Sequence, residues 1–210
     1  MDFNSIVANA LGSDVLPPES RVCNDQYVGR LNELSDYPDD FPVRGAVESR
    51  PDGLRCLLMV LESPHVDEYQ GTNSPCPANG ATGRNIRNHI LKVKGLAEFG
   101  EYGLIILNAV QYQCSMGENP PGRNRDNVFV EAWRNGGGKD DFARRLEYAY
   151  KEEDQVVVCC TKGDLQDTEL RRLVASGLTR CRSSFLGRTH PSSWERRGRI
   201  KRQNLNYEWS

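Results

Sequence analysis

Three nearly continuous apolar runs dominate the hydrophobic pattern of the chain. They cover residues 54–61 (LRCLLMVL), 104–107 (LIIL) and 155–161 (QVVVCCT), each of strand length. Runs of this kind are typical of strands that are buried on both faces, as in parallel sheets. Residues 180–186 predict a fourth strand.

Segments of helical character alternate with these strands. The pattern predicts helices over residues 81–93, 140–150 and 164–176, with polar loops over residues 63–79 and 111–126. Strands that alternate with helices indicate a parallel sheet with helices on both faces. We therefore predict an α/β fold, a three-layer α/β/α sandwich around a central, mostly parallel four-stranded sheet.

The length and composition of the chain fit one domain. Its 210 residues are 38% hydrophobic and 27% charged, as in globular proteins. We predict a single domain over residues 1–210, in which residues 1–50 form an N-terminal helical and loop extension and residues 54–200 form the core. No apolar run is long enough to cross a bilayer, and the N-terminus lacks the basic region of a secretory signal. We expect no membrane partner.

The cysteines indicate a reducing compartment. There are seven, an odd number without the spacing of a disulfide framework, and Cys159 and Cys160 are adjacent inside an apolar run. This usage predicts reduced, buried thiols in a cytoplasmic protein.

Charge is distributed unevenly along the chain. The net charge is only −2, yet residues 171–202 contain ten basic residues and a single acid, Glu195. Such a segment predicts a local surface that binds polyanions. The alternative is an ordinary solvated charged face.

Polar segments follow three of the predicted strands. They begin at Glu62, Asn108 and His190. Because ligands bind at the carboxyl ends of strands in open parallel sheets, we expect these three segments to converge on one site.

Three short motifs in these segments resemble a known family. Residues 61–64 (LESP), 107–110 (LNAV) and 190–193 (HPSS) occur in the order found in the uracil-DNA glycosylase superfamily. Those enzymes have a water-activating loop of the form GQDPYH or GEAPG, a base-reading asparagine at a strand end and an HPSP-type loop. The resemblance implies an enzyme, a monomer that binds DNA, flips a base out of the helix and hydrolyses its N-glycosidic bond, which leaves an abasic site.

A further match is to the iron–sulfur branch of that superfamily. Residues 77–86 (PANGATGRNI) resemble its P-F-V-G-x-[SA]-G stretch, and residues 111–122 resemble its K-C-R-P-P segment. A cluster needs four thiolates. Cys114 matches one, but Cys23 has no CxxC partner and Trp133 lies near the place of a later cysteine. We therefore expect no cofactor.

Three residues of the sequence are possible zinc ligands. They are His65, Cys76 and His89, whose spacing fits no common zinc pattern. We therefore expect no metal site.

The resemblance assigns roles to the catalytic candidates. Asn108 would read the base, and its amide orientation, which the sequence leaves open, would choose between a uracil and a cytosine-like edge. His190 would stabilise charge on the leaving base. Glu62, or alternatively Asp67, would orient water or stabilise the sugar cation. The neighbouring Glu68 is interpreted as a solvated loop charge.

The C-terminal motif would contact DNA. Trp194 stands where the family carries a leucine that wedges into the emptied base stack. Ser192 and Ser193 would shape a rigid turn against the DNA backbone. Phosphates would be held by Arg196, Arg197 and Arg199.

Substitutions in the expected base pocket indicate a large substrate. Ala78 stands where the iron–sulfur branch has a stacking phenylalanine, and His65 replaces the tyrosine or glycine of the family loop. Ser63 occupies the place of the water-activating aspartate, which puts the usual uracil mechanism in doubt. The remaining pocket residues are Pro64 and Asn79.

These substitutions favour a bulky 5-modified cytosine, such as the glucosylated hydroxymethylcytosine that anti-phage glycosylases of the superfamily remove from viral DNA. A uracil-DNA glycosylase of base excision repair and a non-catalytic DNA-binding or damage-sensing module are alternatives. Another hydrolase using Ser192 or Ser193 is disfavoured because the chain has no G-x-S-x-G elbow.

Overall fold

The centre of the fold is a six-stranded mixed sheet. A computed structural model describes residues 2–70, 74–118, 122–178 and 185–210 of the chain. The strand order is β2-β1-β4-β3-β5-β6, in which β4, β3, β5 and β6 are parallel and β1 and β2 are antiparallel. The strands are β1 (Gln26–Arg30), β2 (Gly45–Ala46), β3 (Cys56–Leu61), β4 (Gly103–Asn108), β5 (Gln155–Val158) and β6 (Leu186–Gly187).

The α/β class and the mostly parallel sheet are confirmed, but the predicted strand number of four is wrong. Three of the parallel strands, β3, β4 and β5, match predicted strands. The two additional strands lie within residues 1–50, where a helical and loop extension was expected. Of the strand predicted over residues 180–186, Leu186 lies in β6, and residues 179–184 lie outside the described residues.

Six α-helices surround this sheet among the described residues. Helices α2, α4 and α5 fall in or near the predicted segments, whereas α3 begins inside the expected polar loop. The helices are α1 (Phe3–Leu11), α2 (Ala81–His89), α3 (Arg123–Arg134), α4 (Gly138–Ala149), α5 (Leu170–Ser176) and α6 (Arg202–Leu205). None of the helices in the described residues is long and apolar enough to span a membrane.

Strand β3 is the axis of the core. All six of its residues are buried, because it pairs in parallel with β4 on one side and β5 on the other. Leu58 and Val60 pack into the core on one face, with α1, α3 and α4, and Leu57 and Met59 pack into the core on the other, with α2. Apolar layers on both faces are compatible with a three-layer sandwich.

A two-residue turn forms a separate small hairpin near the C-terminus. It joins β7 (Glu195–Arg196) to β8 (Arg199–Ile200). Arg197 and Gly198, between the strands, have φ of 52° and 71°. Positive φ at both central residues is the geometry of the type I′ turn, which matches the twist of hairpin strands.

A buried ion pair fastens the start of β3. Both terminal nitrogens of Arg50 donate to the Asp154 carboxylate, one to each oxygen, and both distances are 2.8 Å. The same carboxylate accepts from the backbone N–H of Cys56 at 2.7 Å and of Lys151 at 2.8 Å. Asp154 therefore satisfies a buried cation, the first amide of β3 and an amide of the turn before β5.

We predict that Asp154→Ala lowers the free energy of unfolding by about 3–5 kcal/mol, because it leaves the Arg50 guanidinium buried and unpaired. Urea denaturation followed by circular dichroism measures this. Asp52→Ala, on the exposed turn before β3, is the control and should change stability by less than about 0.5 kcal/mol. Equal stability of the two variants would contradict the structural role of the pair.

Candidate functional site

A cavity of about 720 Å³ opens at the carboxyl ends of the parallel strands. Parts of the chain that are far apart in sequence form its wall, as expected for the ligand-binding edge of a parallel sheet. The lining residues are Leu61, Glu62, Ser63, Pro64, His65, Asp67, Glu68, Gly80, Ala81, Thr82, Ser115, Arg125, Thr161, His190, Ser192, Ser193, Arg196, Lys201, Gln203 and Asn204.

Glu62 lies on the floor of this cavity, directly after β3, and is 5% exposed. Its Oε2 accepts a hydrogen bond from the backbone N–H of Thr161, at 3.1 Å, in the segment that follows β5. Its Oε1 lies 3.4 Å from a terminal nitrogen of Arg125. The carboxylate is thus held by one amide and one cation.

Arg125, in the first turn of α3, is a site residue that the sequence motifs did not indicate. It is 7% exposed and lines the cavity. Its Nε donates to Asp126 Oδ1 at 2.6 Å, and Asp126 in turn accepts from the backbone N–H of Asp164. These bonds fix the guanidinium, so one terminal nitrogen points at Glu62.

His190 completes the group on the cavity floor. The backbone N–H of Ser192 donates to its Nδ1 at 3.3 Å, and the Ser192 hydroxyl lies 2.8 Å from the same atom. Its Nε2 lies 3.8 Å from Glu62 Oε2. Burial lowers the pKa of His190, with Glu62 acting in the opposite direction. A neutral ring whose Nδ1 accepts from an amide carries its proton on Nε2, the atom near Glu62.

Two side-chain amides hold the turn that carries His190. Asn85 of α2 donates to the carbonyl of Pro191 at 2.9 Å, and Asn204 donates to the carbonyl of Ser193 at 2.7 Å. Both bonds come from distant segments, so the imidazole is held by the packing of the turn rather than by its own loop alone.

Trp194 is part of the core, so the prediction that it wedges into DNA is wrong. Its side chain is fully buried, among residues such as Phe41 and Ile86. Its indole N–H donates to the carbonyl of Thr189 at 3.1 Å. Its polar neighbours in sequence suggested a surface position, but they face outward while the indole faces inward.

The predicted arginines lie together on the exposed β7–β8 hairpin. A second cavity beside the first is lined by Arg196, Arg197, Arg199 and Lys201. Arg196 and Lys201 also line the main cavity. The hairpin therefore places a group of cations at the mouth of the site. Arg188, from the same basic segment, is instead buried and paired with Glu208 at 2.9 Å.

Asn108 is not among the residues that line the cavity, whereas Glu68 is. Asn108 is fully buried, its Nδ2 lies 3.8 Å from the sulfur of Cys23, and its Oδ1 has no hydrogen-bond partner among the described residues. Glu68 is 3% exposed and accepts from Cys23 at 3.6 Å. The interpretation of Glu68 as a solvated loop charge is therefore wrong.

The buried position of Glu68 changes its chemistry. Burial raises the pKa of Glu68 to about 8, although hydrogen bonds from Ala78, His65, Cys23 and Asn108 act in the opposite direction. At neutral pH this side chain is mostly a carboxylic acid, which can donate as well as accept.

The remaining predicted pocket residues divide between the wall and the core. Ser63, Pro64, His65 and Asp67 line the cavity, and Asp67 is at its rim with a side chain 44% exposed. The other two lie outside it. Asn79 donates to the carbonyl of Asp67, and Ala78 is fully buried in the core with a φ of 56°.

Ala78 therefore does not enlarge the cavity in the way that its alignment with a stacking phenylalanine suggested. The width has another cause: the described residues that line the cavity include no phenylalanine, tyrosine or tryptophan. Within the described ranges there is also no group of three or more His, Cys, Asp or Glu residues that could hold a metal ion.

Three comparisons with known proteins were made, and no family model, curated protein or solved structure matches this chain.

We predict that Trp194→Ala lowers the free energy of unfolding by about 3–5 kcal/mol, because it empties a large volume in the core. Chemical denaturation measures this effect. Tyr37→Ala is the matched control, since that ring is 47% exposed. A Trp194→Ala protein with unchanged stability and weaker DNA binding would instead favour the wedge role.

We also predict that stability falls with pH because of Glu68. The unfolded side chain loses its proton near pH 4.5 and the folded one near pH 8, so the folded state holds more protons between these values. The free energy of unfolding should fall across this window, relative to Glu68→Gln, by at most about 1.4 kcal/mol per pH unit. Urea titrations at several pH values test this. Parallel curves for the wild type and Glu68→Gln would contradict the shift, and Glu33→Gln, an exposed substitution, should follow the wild type.

Proposed function

We propose that this protein is a monofunctional DNA glycosylase that flips out a modified pyrimidine and hydrolyses its N-glycosidic bond. The observation that carries the proposal is the meeting of Glu62, Arg125 and His190 on the floor of one cavity, with Nε2 of His190 3.8 Å from Glu62 Oε2. A carboxylate and an imidazole N–H are the groups that breaking a glycosidic bond calls for.

The two groups have complementary tasks. Negative charge develops on the departing base, and the Nε2–H of a neutral His190 is a donor that can stabilise it. Positive charge develops on the sugar, and the Glu62 carboxylate is placed to stabilise it or to orient the attacking water. Glu62 is favoured over Asp67 for this role, because Asp67 lies at the rim.

The hairpin supplies a reason to propose DNA as the substrate. Four cationic side chains, Arg196, Arg197, Arg199 and Lys201, surround the second cavity beside the mouth of the main one. Phosphates bound there would place the backbone next to the cavity, so that a flipped base could enter it.

A bulky 5-modified cytosine is the favoured base, for which glucosylated hydroxymethylcytosine in phage DNA is the example. Its support is the cavity, whose volume of about 720 Å³ lies in the range of about 300–1,000 Å³ that accommodates drug-sized ligands. The lining without large aromatic rings also leaves room for a substituent.

The test is incubation with duplexes that contain either uracil or glucosylated hydroxymethylcytosine, scored for abasic sites. We predict abasic sites in the modified DNA. The rate should fall by about 10²–10³-fold in His190→Ala and by about 10²–10⁴-fold in Glu62→Gln. Glu33→Gln should retain the wild-type rate, and melting curves confirm that each variant is folded.

Other outcomes decide between the alternatives. Release of uracil alone would overturn the modified base and favour a repair enzyme. Salt-sensitive DNA binding that Arg199→Ala weakens, without base release from either DNA, would favour a non-catalytic DNA-binding module.

A further inference from the structure

We infer that Glu68 is a specificity-determining residue of the cavity, where its carboxylic acid, backed by Cys23 and Asn108, hydrogen-bonds the Watson–Crick edge of the flipped base. This inference rests on the proposed function, because its ligand is a base that has left a nucleic-acid stack. The motifs assigned recognition of the base to Asn108, and this inference assigns it to Glu68.

Glu68 is a buried acid in the wall of the cavity. It lines the cavity that Glu62 and His190 also line, yet its side chain is almost entirely removed from water. A carboxyl in that position contributes nothing to solubility. Among the described residues no ion pair includes it, since Arg125 and His190 lie beside Glu62 instead. A polar group held at a cavity wall without a charge partner is suited to meet a ligand.

Two polar side chains, Cys23 and Asn108, lie behind Glu68. The thiol of Cys23 donates to Glu68 Oε2 at 3.6 Å, and the amide of Asn108 lies 3.8 Å from the same sulfur. Thiol and amide therefore form a polar layer behind the acid and hold one of its oxygens. Backbone N–H groups of His65 and Ala78 also hydrogen-bond the carboxyl group, so its orientation in the wall is fixed. Among the described residues, Oδ1 of Asn108 accepts no hydrogen bond, so the amide contacts this layer only through its Nδ2.

The protonated form of Glu68 has a hydrogen-bonding pattern that is complementary to a cytosine-type base. A carboxylic acid has one O–H donor beside one C=O acceptor, which matches the N3 acceptor and the amino donor of a cytosine-type edge. A carboxylate has acceptors only, so it opposes the N3 lone pair of cytosine but still accepts the N3–H of uracil. Loss of one proton should thus penalise cytosine-type bases more than uracil.

Two titratable neighbours of Glu68, the Cys23 thiol and the Tyr69 hydroxyl, stay neutral while it titrates. Cys23 faces it from the N-terminal segment and Tyr69 from its own turn, and burial raises the pKa of both far above the ordinary range. Behind Cys23, Asp25 is paired with Arg145 at 2.6 Å. His65 and Asp67 lie on the more exposed side of the same turn.

The experiment measures binding without turnover. Fluorescence anisotropy would follow single-stranded oligoadenylates that carry one central cytosine or uracil on a 2′-fluoro sugar, which resists cleavage because fluorine disfavours the sugar cation. The same strand with an abasic analogue is the reference. The wild type, Glu68→Gln and Glu33→Gln are compared between pH 6 and pH 9.

The preference of the wild type for cytosine over uracil should fall about tenfold between pH 7 and pH 9, following the proton of a group with a pKa of about 8. Glu33→Gln should behave likewise. Glu68→Gln should show a constant ratio, which also controls for titration of the bases themselves.

A flat ratio in the wild type, or a pH dependence that Glu68→Gln retains, overturns the inference, as does affinity for both bases equal to that of the abasic strand. The wild-type series decides even if Glu68→Gln does not fold. Abasic sites in the glycosylase assay together with a flat ratio would leave the proposed function standing and remove only Glu68 from it.

Discussion

Burial of a carboxylate at the end of a strand is the constraint on which this site depends. Strand β3 is buried along its whole length, so the side chain that follows it, Glu62, leaves the sheet inside the protein. A buried carboxylate needs partners, because an unpaired charge there costs several kcal/mol. The partners are the amide of Thr161 and the guanidinium of Arg125, and the ring of His190 lies beside them, 3.8 Å from Glu62 Oε2. Satisfying one side chain therefore brings three distant segments to one point.

The same loop holds a second acid in a different environment. Six residues after Glu62, Glu68 meets a thiol and an amide instead of a guanidinium, so burial is not offset by a cation and its pKa rises to about 8. Two carboxyl groups on one wall thus supply different chemistry, one paired with a cation and the other with a proton. Divergent environments for neighbouring acids are a common feature of sites that combine binding with acid–base work.

The sequence predicted the parts of the fold whose environment leaves a mark on the pattern of residues. Strands β3, β4 and β5 are buried on both faces, and such burial requires an unbroken apolar run. Strand β1 (QYVGR) has only partly buried ends, and β2 has two residues, so neither produces a run.

Within the site, the motifs after the strands correctly placed Glu62 and His190 in one cavity. Arg125 and Glu68 could not be found this way, because an isolated arginine or acid in a polar segment looks solvated, and only tertiary packing buries it. Trp194 is the opposite case, a buried residue that the sequence predicted to be exposed. Its polar neighbours indicated a surface position, but the ring packs in the core and its N–H donates to the carbonyl of Thr189.

The β7–β8 hairpin has a consequence for how such a protein can change over generations. Its anchoring contacts lie at its base, where His89 meets Glu195 at 2.7 Å and Lys201 donates its backbone N–H to Trp194, while its tip projects into solvent. Residues at the tip can be exchanged, added or lost without disturbing the turn that holds His190. Natural selection can therefore change the charge and length of this surface separately from the group of side chains around Glu62.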